Sequence, residues 1–311
     1  MFKIFRWFGL GLYTIVTIIP YYLYVGFTCI INPEKGKELK YKGKPIIPIM
    51  MLALTLAVYF ICIFTLSRWY VQRLKIKYLA NDIIESTKIL ESDPVEEIVP
   101  DEYTPTNENN YAGVSYINVD FNELLKKNSD TVAWIKVNNT NVNYSVVQAD
   151  DNEYYLHHDF NKYNNMGGWI FADYRDDFEY FGTNTIIYGH NLTNRTMFGS
   201  LIWCEKPSWY KKEENQYIKL STPTSNTIWK IFSIYEIKPE VEYLKTYFES
   251  DEEHQALLDK LKNRSIYNFG ENLTTDDKIL TLSTCSDDGL RRAVIHAKLV
   301  KVEYRDKNTS N

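Results

Sequence analysis

Two long stretches without a charged side chain, Trp7–Pro33 and Pro45–Ser67, limit what this chain can become more than any other feature. Each exceeds the roughly 18 to 20 apolar residues that cross a bilayer as a helix. The expected arrangement is a two-span hairpin in a membrane, with Pro20 kinking the first span. A cleaved signal peptide followed by a buried core helix is the competing reading. It is disfavoured because no small-residue cleavage site follows the first stretch, which also ends late for a signal. The connector carries Lys35, Lys37, Lys40, Lys42 and Lys44, against Lys3, Arg6, Arg68, Arg73, Lys75 and Lys77 on the other side. These charges nearly balance. The denser cluster in the short loop favours a cytoplasmic connector, with the N-terminus and the large C-terminal part outside.

Three segments follow from composition shifts. Residues 1–67 form the membrane anchor. Residues 68–90 lack Pro and Gly and place Leu74, Leu79, Ile83 and Ile84 at helical spacing, so a helix is expected to leave the membrane there. Residues 91–112 contain Pro94, Pro100 and Pro105 among acidic side chains and read as an extended linker, completing a juxtamembrane segment of 68–112. The remaining 113–311 form the soluble domain.

That domain reads as mainly β. Eight runs of β type are separated by turn residues: TVAWIKV, YSVVQA, GWIFADY, NTIIYGH, QYIKLST, TIWKIFSIYEI, KILTLSTC and AVIHAKLV. Such a series predicts a barrel or a sandwich. Two helices interrupt it, a short one at NELLKKNSD and a long one from about Glu242 to Asn263. The 25 Tyr and seven Trp suit a β-rich fold. The formal charge of -5 and the absence of a basic, aromatic-interleaved module argue against nucleic acid as a partner.

Alternation along the last two runs isolates a polar cluster. Leu280 and Leu282 share one face, which leaves Thr281, Ser283 and Cys285 on the other. Ala293, Ile295, Ala297 and Leu299 make the apolar face of the next run, opposite Arg292, Val294, His296 and Lys298. Cys285 and Arg292 are therefore expected on the same outer side of neighbouring strands, joined by a short loop. A guanidinium beside a thiol lowers its pKa and offers donors to a developing oxyanion. Arginine does not give up its proton, so acyl transfer by the thiol needs a further acid and base, usually His. Of the five His, His190 ends the run TIIYGH, where Gly189 gives the chain room to turn, and is the favoured candidate. The bland alternatives are a surface or core histidine and a buried small thiol. Cys204 is the only other Cys of the soluble part, and a disulfide between the two is open at this level.

No zinc spacing, GxSxG, P-loop or GxGxxG is present. His157, His158 and Asp159 form the best metal candidate, but successive strand residues point to opposite faces, so no metal is expected.

TLSTC followed seven residues later by Arg, with YGHN upstream, resembles the sortases. DTVAWIKVNNTNVNYSVVQADDNEYYL, GGWIFADYRD and the long helix before the Cys strand are similar to class B members in particular, over about residues 115–304. The resemblance implies an eight-stranded β-barrel with an N-terminal helix and one inserted helix. It also implies a membrane-anchored cysteine transpeptidase of a Gram-positive bacterium, acting outside the cytoplasm without a cofactor. Cys285 would be the nucleophile, His190 the general acid and base, and Arg292 the oxyanion and orienting residue, chosen over Arg291 because it directly precedes AVIHAK. Asn152, Leu156, Tyr188 and Ser283 match positions that line the sorting-signal groove. The implied partners are secreted proteins bearing an NPxTx- or LPxTG-like signal, and peptidoglycan or its lipid-linked precursor. The two apolar stretches depart from the single span usual in class B. A thiol hydrolase on the same fold and a catalytically inert peptide-binding receptor are the rival functions. Acyl transfer to an amine rather than water separates the first, and loss of thiol reactivity the second.

Overall fold

The computed structural model describes residues 46–92, 113–285 and 291–305, with positions 24, 27, 28 and 30–34. The first predicted span lies almost wholly outside the described residues, as does the acidic segment 93–112. The chain divides into two compact units, residues 1–71 and 72–311.

Helix α1 (Ile46–Ser86) begins in the first unit. Among the described residues its part Leu54–Ser86 is the one helical stretch long and apolar enough to cross a membrane by length and composition. Phe60, Ile61 and Phe64 on it are exposed, an arrangement that water disfavours and hydrocarbon favours.

In the second unit the apolar stripe of α1 narrows to Ile76, Ala80 and Ile83, all buried in the main core. The helix stops at Ser86, short of the expected Leu90. Thr87 Oγ1 donates to the Ile83 carbonyl at 2.6 Å, satisfying a last-turn acceptor. Strand β1 (Ile89–Ser92) then pairs antiparallel with β2 (Tyr116–Val119), so the backbone of this segment is satisfied across strands instead of within the helix.

The short helix α2 (Asn122–Lys127) precedes β3 (Thr131–Val137), β4 (Asn143–Val147), β5 (Phe171–Ala172) and β6 (Asn184–His190). A 3-10 segment at Phe198–Glu205 and the helical turn α3 (Pro207–Tyr210) lead to β7 (Tyr217–Ser221) and β8 (Ser225–Ile237). Helix α4 (Asp251–Asn263), β9 (Ile279–Cys285) and β10 (Arg292–Tyr304) complete the domain. Strands β3 to β10 close an eight-stranded barrel in the order β10-β8-β7-β3-β4-β5-β6-β9, and each predicted β run supplies one strand. The β4–β5 and β6–β9 pairs are parallel.

The alternation expected in the last two strands is realised. Leu280, Leu282, Ile295, Ala297 and Leu299 join the main core. The other face is not open to water: Thr281 and Ser283 are buried, and Ile279 and Val294 pack in a second cluster with Tyr243, Leu257, Leu258 and Leu261. Helix α4 covers that face with its apolar stripe.

The inserted helix is shorter than expected. Residues 242–244 form a 3-10 turn, and α4 starts at Asp251, where the Ser250 side chain accepts the Glu253 N–H. Ser250 with Glu253 is the S-x-x-E pattern of a helix start. Asp251, Glu252 and Glu253 in the first turn, with Lys260 and Lys262 in the last, suit the helix dipole.

Candidate active site

Strand register assembles the three residues singled out by chemistry. His190 closes β6 and is paired directly with Cys285, the last residue of the parallel strand β9. Strand β10 runs antiparallel to β9 with Val294 opposite Ser283, and the same register carried two residues further sets Arg292 opposite Cys285. Three neighbouring strands thus bring an imidazole, a thiol position and a guanidinium to one end of the barrel. Residues 286–290, which include Asp287 and Asp288, lie outside the described residues.

His190 is mostly buried, and its Nε2 lies 2.9 Å from the Leu156 carbonyl. A carbonyl only accepts, so Nε2 carries a proton. Gly168 passes close to the Leu156 carbonyl: a Cβ there would sit 2.7 Å from that oxygen, and φ is +52°. Only glycine fits such a site. Gly189 has a different reason from the expected turn. It continues β6, and a Cβ there would meet Ile170 Cδ1 at 2.4 Å and Phe198 Cγ at 2.8 Å. Gly189→Ala is expected to cost about 1–3 kcal/mol through overpacking next to His190. A lowered melting temperature with a larger loss of turnover checks this.

Arg292 donates through Nη1 to the Tyr243 hydroxyl at 3.2 Å, and that hydroxyl lies 3.0 Å from Ser283 Oγ. Either hydroxyl can be the donor in that second contact. Tyr243 is fully buried, so the link is shielded from water.

A second cluster centres on Asp173. Arg175 makes a fork to it, Nε to Oδ1 at 2.7 Å and Nη2 to Oδ2 at 2.8 Å. Tyr188 donates to Oδ2 at 2.9 Å and Asn152 Nδ2 to Oδ2 at 3.0 Å. Burial pushes the Asp173 carboxyl up, but the Arg175 fork, a backbone N–H and the Tyr188 hydroxyl outweigh it and hold the group below the usual carboxylate range. Burial, then the Asp173 charge, push the Tyr188 hydroxyl up, so it stays a donor. Asp176 is half-buried nearby and pushed up to about 8 by desolvation, with its Oδ2 accepting the Ile186 N–H at 2.6 Å.

The structure therefore gathers Asn152 and Tyr188 about Asp173, Leu156 at His190, and Ser283 at Arg292. Sequence reasoning missed Asp173, Arg175 and Tyr243. The first two stood in the quoted GGWIFADYRD, whose acid and base are two residues apart. Tyr243 was hidden by the long-helix reading, which the S-x-x-E at Ser250 corrects.

The other candidates serve the fold. His158 stacks on Tyr154 and its Nδ1 lies 2.7 Å from that residue's carbonyl, while Asp159 accepts the Asn161 and Tyr163 N–H groups. Cys204 is free and fully buried, so no disulfide joins it to Cys285, and burial pushes its thiol well up, keeping it protonated. His296 is fully buried and desolvation lowers it to about 3, so it is neutral at pH 7.

A histidine held neutral in the folded state contributes stability that is complete above its unfolded pKa of about 6.5 and is lost as pH falls toward 3. Wild type is expected to lose on the order of 4 kcal/mol through this group between pH 7 and pH 3. His296→Gln should flatten the acid limb of a melting-temperature profile while lowering stability at pH 7.

The register sets a thiol position between an imidazole and a guanidinium, a set of groups whose chemistry suits acyl transfer: attack on a carbonyl, stabilisation of an oxyanion and proton delivery. The sortase domain family matches residues 135–300. Sortase B of Staphylococcus aureus is 36% identical over 190 residues, covering 60% of this chain and 77% of that protein. The S. aureus sortase B–substrate complex aligns with a TM-score of 0.55 at 36% identity, over 58% of this chain and 84% of that one. Sortase B of B. anthracis in complex with AAEK1 aligns with a TM-score of 0.60 at 29% identity, over 75% of this chain and 99% of that one. With a family match across more than half its length and a relative of this identity covered over most of its own, the chain belongs to the sortase family, in class B, a group of cysteine transpeptidases.

Proposed function

We propose that this enzyme is anchored in the membrane by its N-terminal apolar segment, with the barrel outside the cytoplasm. It cleaves an NPxTx- or LPxTG-like C-terminal sorting signal after Thr and joins the protein to a peptidoglycan amine. The register that brings His190, Cys285 and Arg292 to neighbouring strand ends carries this reading. The complex of S. aureus sortase B with its substrate supports the substrate kind, and the exposed apolar stretch of α1 supports anchoring. The anchor at 1–67, the juxtamembrane segment 68–112 and the catalytic domain 113–311 divide these tasks.

In the first half-reaction the Cys285 sulfur bonds to the Thr carbonyl carbon, and the carbonyl π pair moves to oxygen, where Arg292 donates to it. His190 Nδ1–H protonates the departing nitrogen as the C–N bond breaks, leaving a thioester. In the second, an amine attacks the same carbon, His190 takes its proton, and the C–S bond breaks to restore the thiolate. Asn152, Leu156, Tyr188 and Ser283 line the groove that holds the signal.

Transpeptidation is tested by partition. The full chain in detergent is given NPxTx and LPxTG peptides with and without a peptidoglycan-type amine, and products are identified by mass. Product joined to the amine, in rising share as the amine is raised, is expected. Hydrolysis as the sole outcome at every amine concentration contradicts the transfer.

A further inference from the structure

The 3-10 turn that carries Tyr243 is gripped at three successive carbonyls by side chains from the barrel. Asn184 Nδ2 donates to the Tyr243 carbonyl at 3.1 Å and to the Lys245 carbonyl at 3.0 Å. Arg175 Nη2 donates to the Leu244 carbonyl between them at 3.2 Å. Asn184 is the first residue of β6, the strand that ends in His190.

The Asn184 amide is itself aimed by a buried chain of hydrogen bonds. Thr281 Oγ1 donates to Asn184 Oδ1 at 2.7 Å. Since that hydroxyl proton is committed, His296 Nδ1, 2.9 Å from Thr281 Oγ1, is the donor to it. His296 Nε2 is then the acceptor for the Tyr235 hydroxyl at 2.8 Å. Every donor and acceptor runs in one direction, from Tyr235 through His296 and Thr281 to Asn184, and only one orientation of the amide presents its NH2 to the turn. Thr281, His296 and Asn184 are all buried, so water does not substitute for a missing link. The side chain at the end of this chain is Tyr243, whose hydroxyl holds Arg292 and Ser283.

We infer that Asn184 is a positioning residue for Arg292: it clamps the 243–245 turn so that the Tyr243 hydroxyl fixes the guanidinium beside Cys285. The inference rests on the proposed role of Arg292. A misplacement of a catalytic donor by about 1 Å costs on the order of 10²-fold in rate. Asn184 touches neither substrate nor the reacting atoms, so its effect passes entirely through Tyr243.

The test is a double-mutant cycle in the full chain in detergent, with Asn184→Ala, Tyr243→Phe and both together. Two readouts are taken: kcat and KM on NPxTx and LPxTG peptides, and the pH profile of Cys285 alkylation by iodoacetamide, mapped to that residue by mass. Asn184→Ala is expected to lower kcat about tenfold with KM within about twofold, and to move the alkylation profile to higher pH. In the Tyr243→Phe background the same substitution should cost less than about twofold in kcat and leave the profile in place. Equal effects in both backgrounds overturn the clamp, since a structural defect does not need the hydroxyl. Arg292→Ala calibrates the cycle. If it moves both readouts and Asn184→Ala moves neither, the clamp alone fails. If Arg292→Ala moves neither, the role given to Arg292 fails and the clamp with it. Should Asn184→Ala not fold, Thr281→Val removes the proton that aims the amide at nearly constant volume, and the same non-additivity with Tyr243→Phe is expected.

Discussion

Cys285→Ala leaves a folded protein that forms no acyl-enzyme, with signal cleavage reduced at least about 10⁴-fold, as when a covalent nucleophile is removed. No other described cysteine substitutes for it. Cys204 is fully buried with its thiol held protonated, and Cys62 lies in the first unit, on the apolar stretch of α1. The melting temperature should stay within a few degrees of wild type, because position 285 ends its strand and the core alternates at Leu280 and Leu282. Binding of the signal peptide should persist, so a peptide-binding assay read beside turnover separates loss of chemistry from loss of fold. Retained cleavage in this variant contradicts the assignment of the nucleophile.

Arg292→Lys is expected to lower kcat by on the order of 10²- to 10³-fold although the charge is kept. One guanidinium nitrogen is already engaged by the Tyr243 hydroxyl. The planar fork lets another nitrogen reach the oxyanion while that bond is held, and a lysine ammonium at the end of a flexible stem does not reproduce both directions. The loss should fall on kcat with KM little changed, because the oxyanion exists only in the transition state. A Lys variant with near wild-type kcat means that a point charge suffices, and the fork argument is then wrong.

These two residues were legible because local rules expose them. Period-two alternation separates Leu280 and Leu282 from Cys285, and both Cys285 and Arg292 stand where a strand meets a turn. His190 follows from the same logic at the end of β6. The eight strands were readable for the same reason, since each is a short apolar run bounded by turn residues. The supporting layer was not. The Arg292–Tyr243 contact is separated by 49 residues and the Asn184 grip on Lys245 by 61, and no local pattern encodes such pairs. Asn184 reads as an ordinary polar residue at a strand start, and Thr281 as a polar alternate on a face that looked solvent-exposed. The face is covered by α4, a tertiary event that alternation within β9 does not report. Gly189 shows the same limit: a turn explanation was natural from YGHN, whereas the cause is the Phe198 ring packed against the strand.

The central claim is a thioester on Cys285, and the most direct test is to trap it. Full-length protein in detergent is mixed with NPxTx and LPxTG peptides, quenched in acid within a single turnover, weighed intact and mapped by digestion. The account predicts a mass increase equal to the signal fragment ending in Thr less water, located on Cys285, cleared by hydroxylamine and absent in Cys285→Ala. Cleavage that proceeds with no adduct, or with the adduct on another residue, would contradict it.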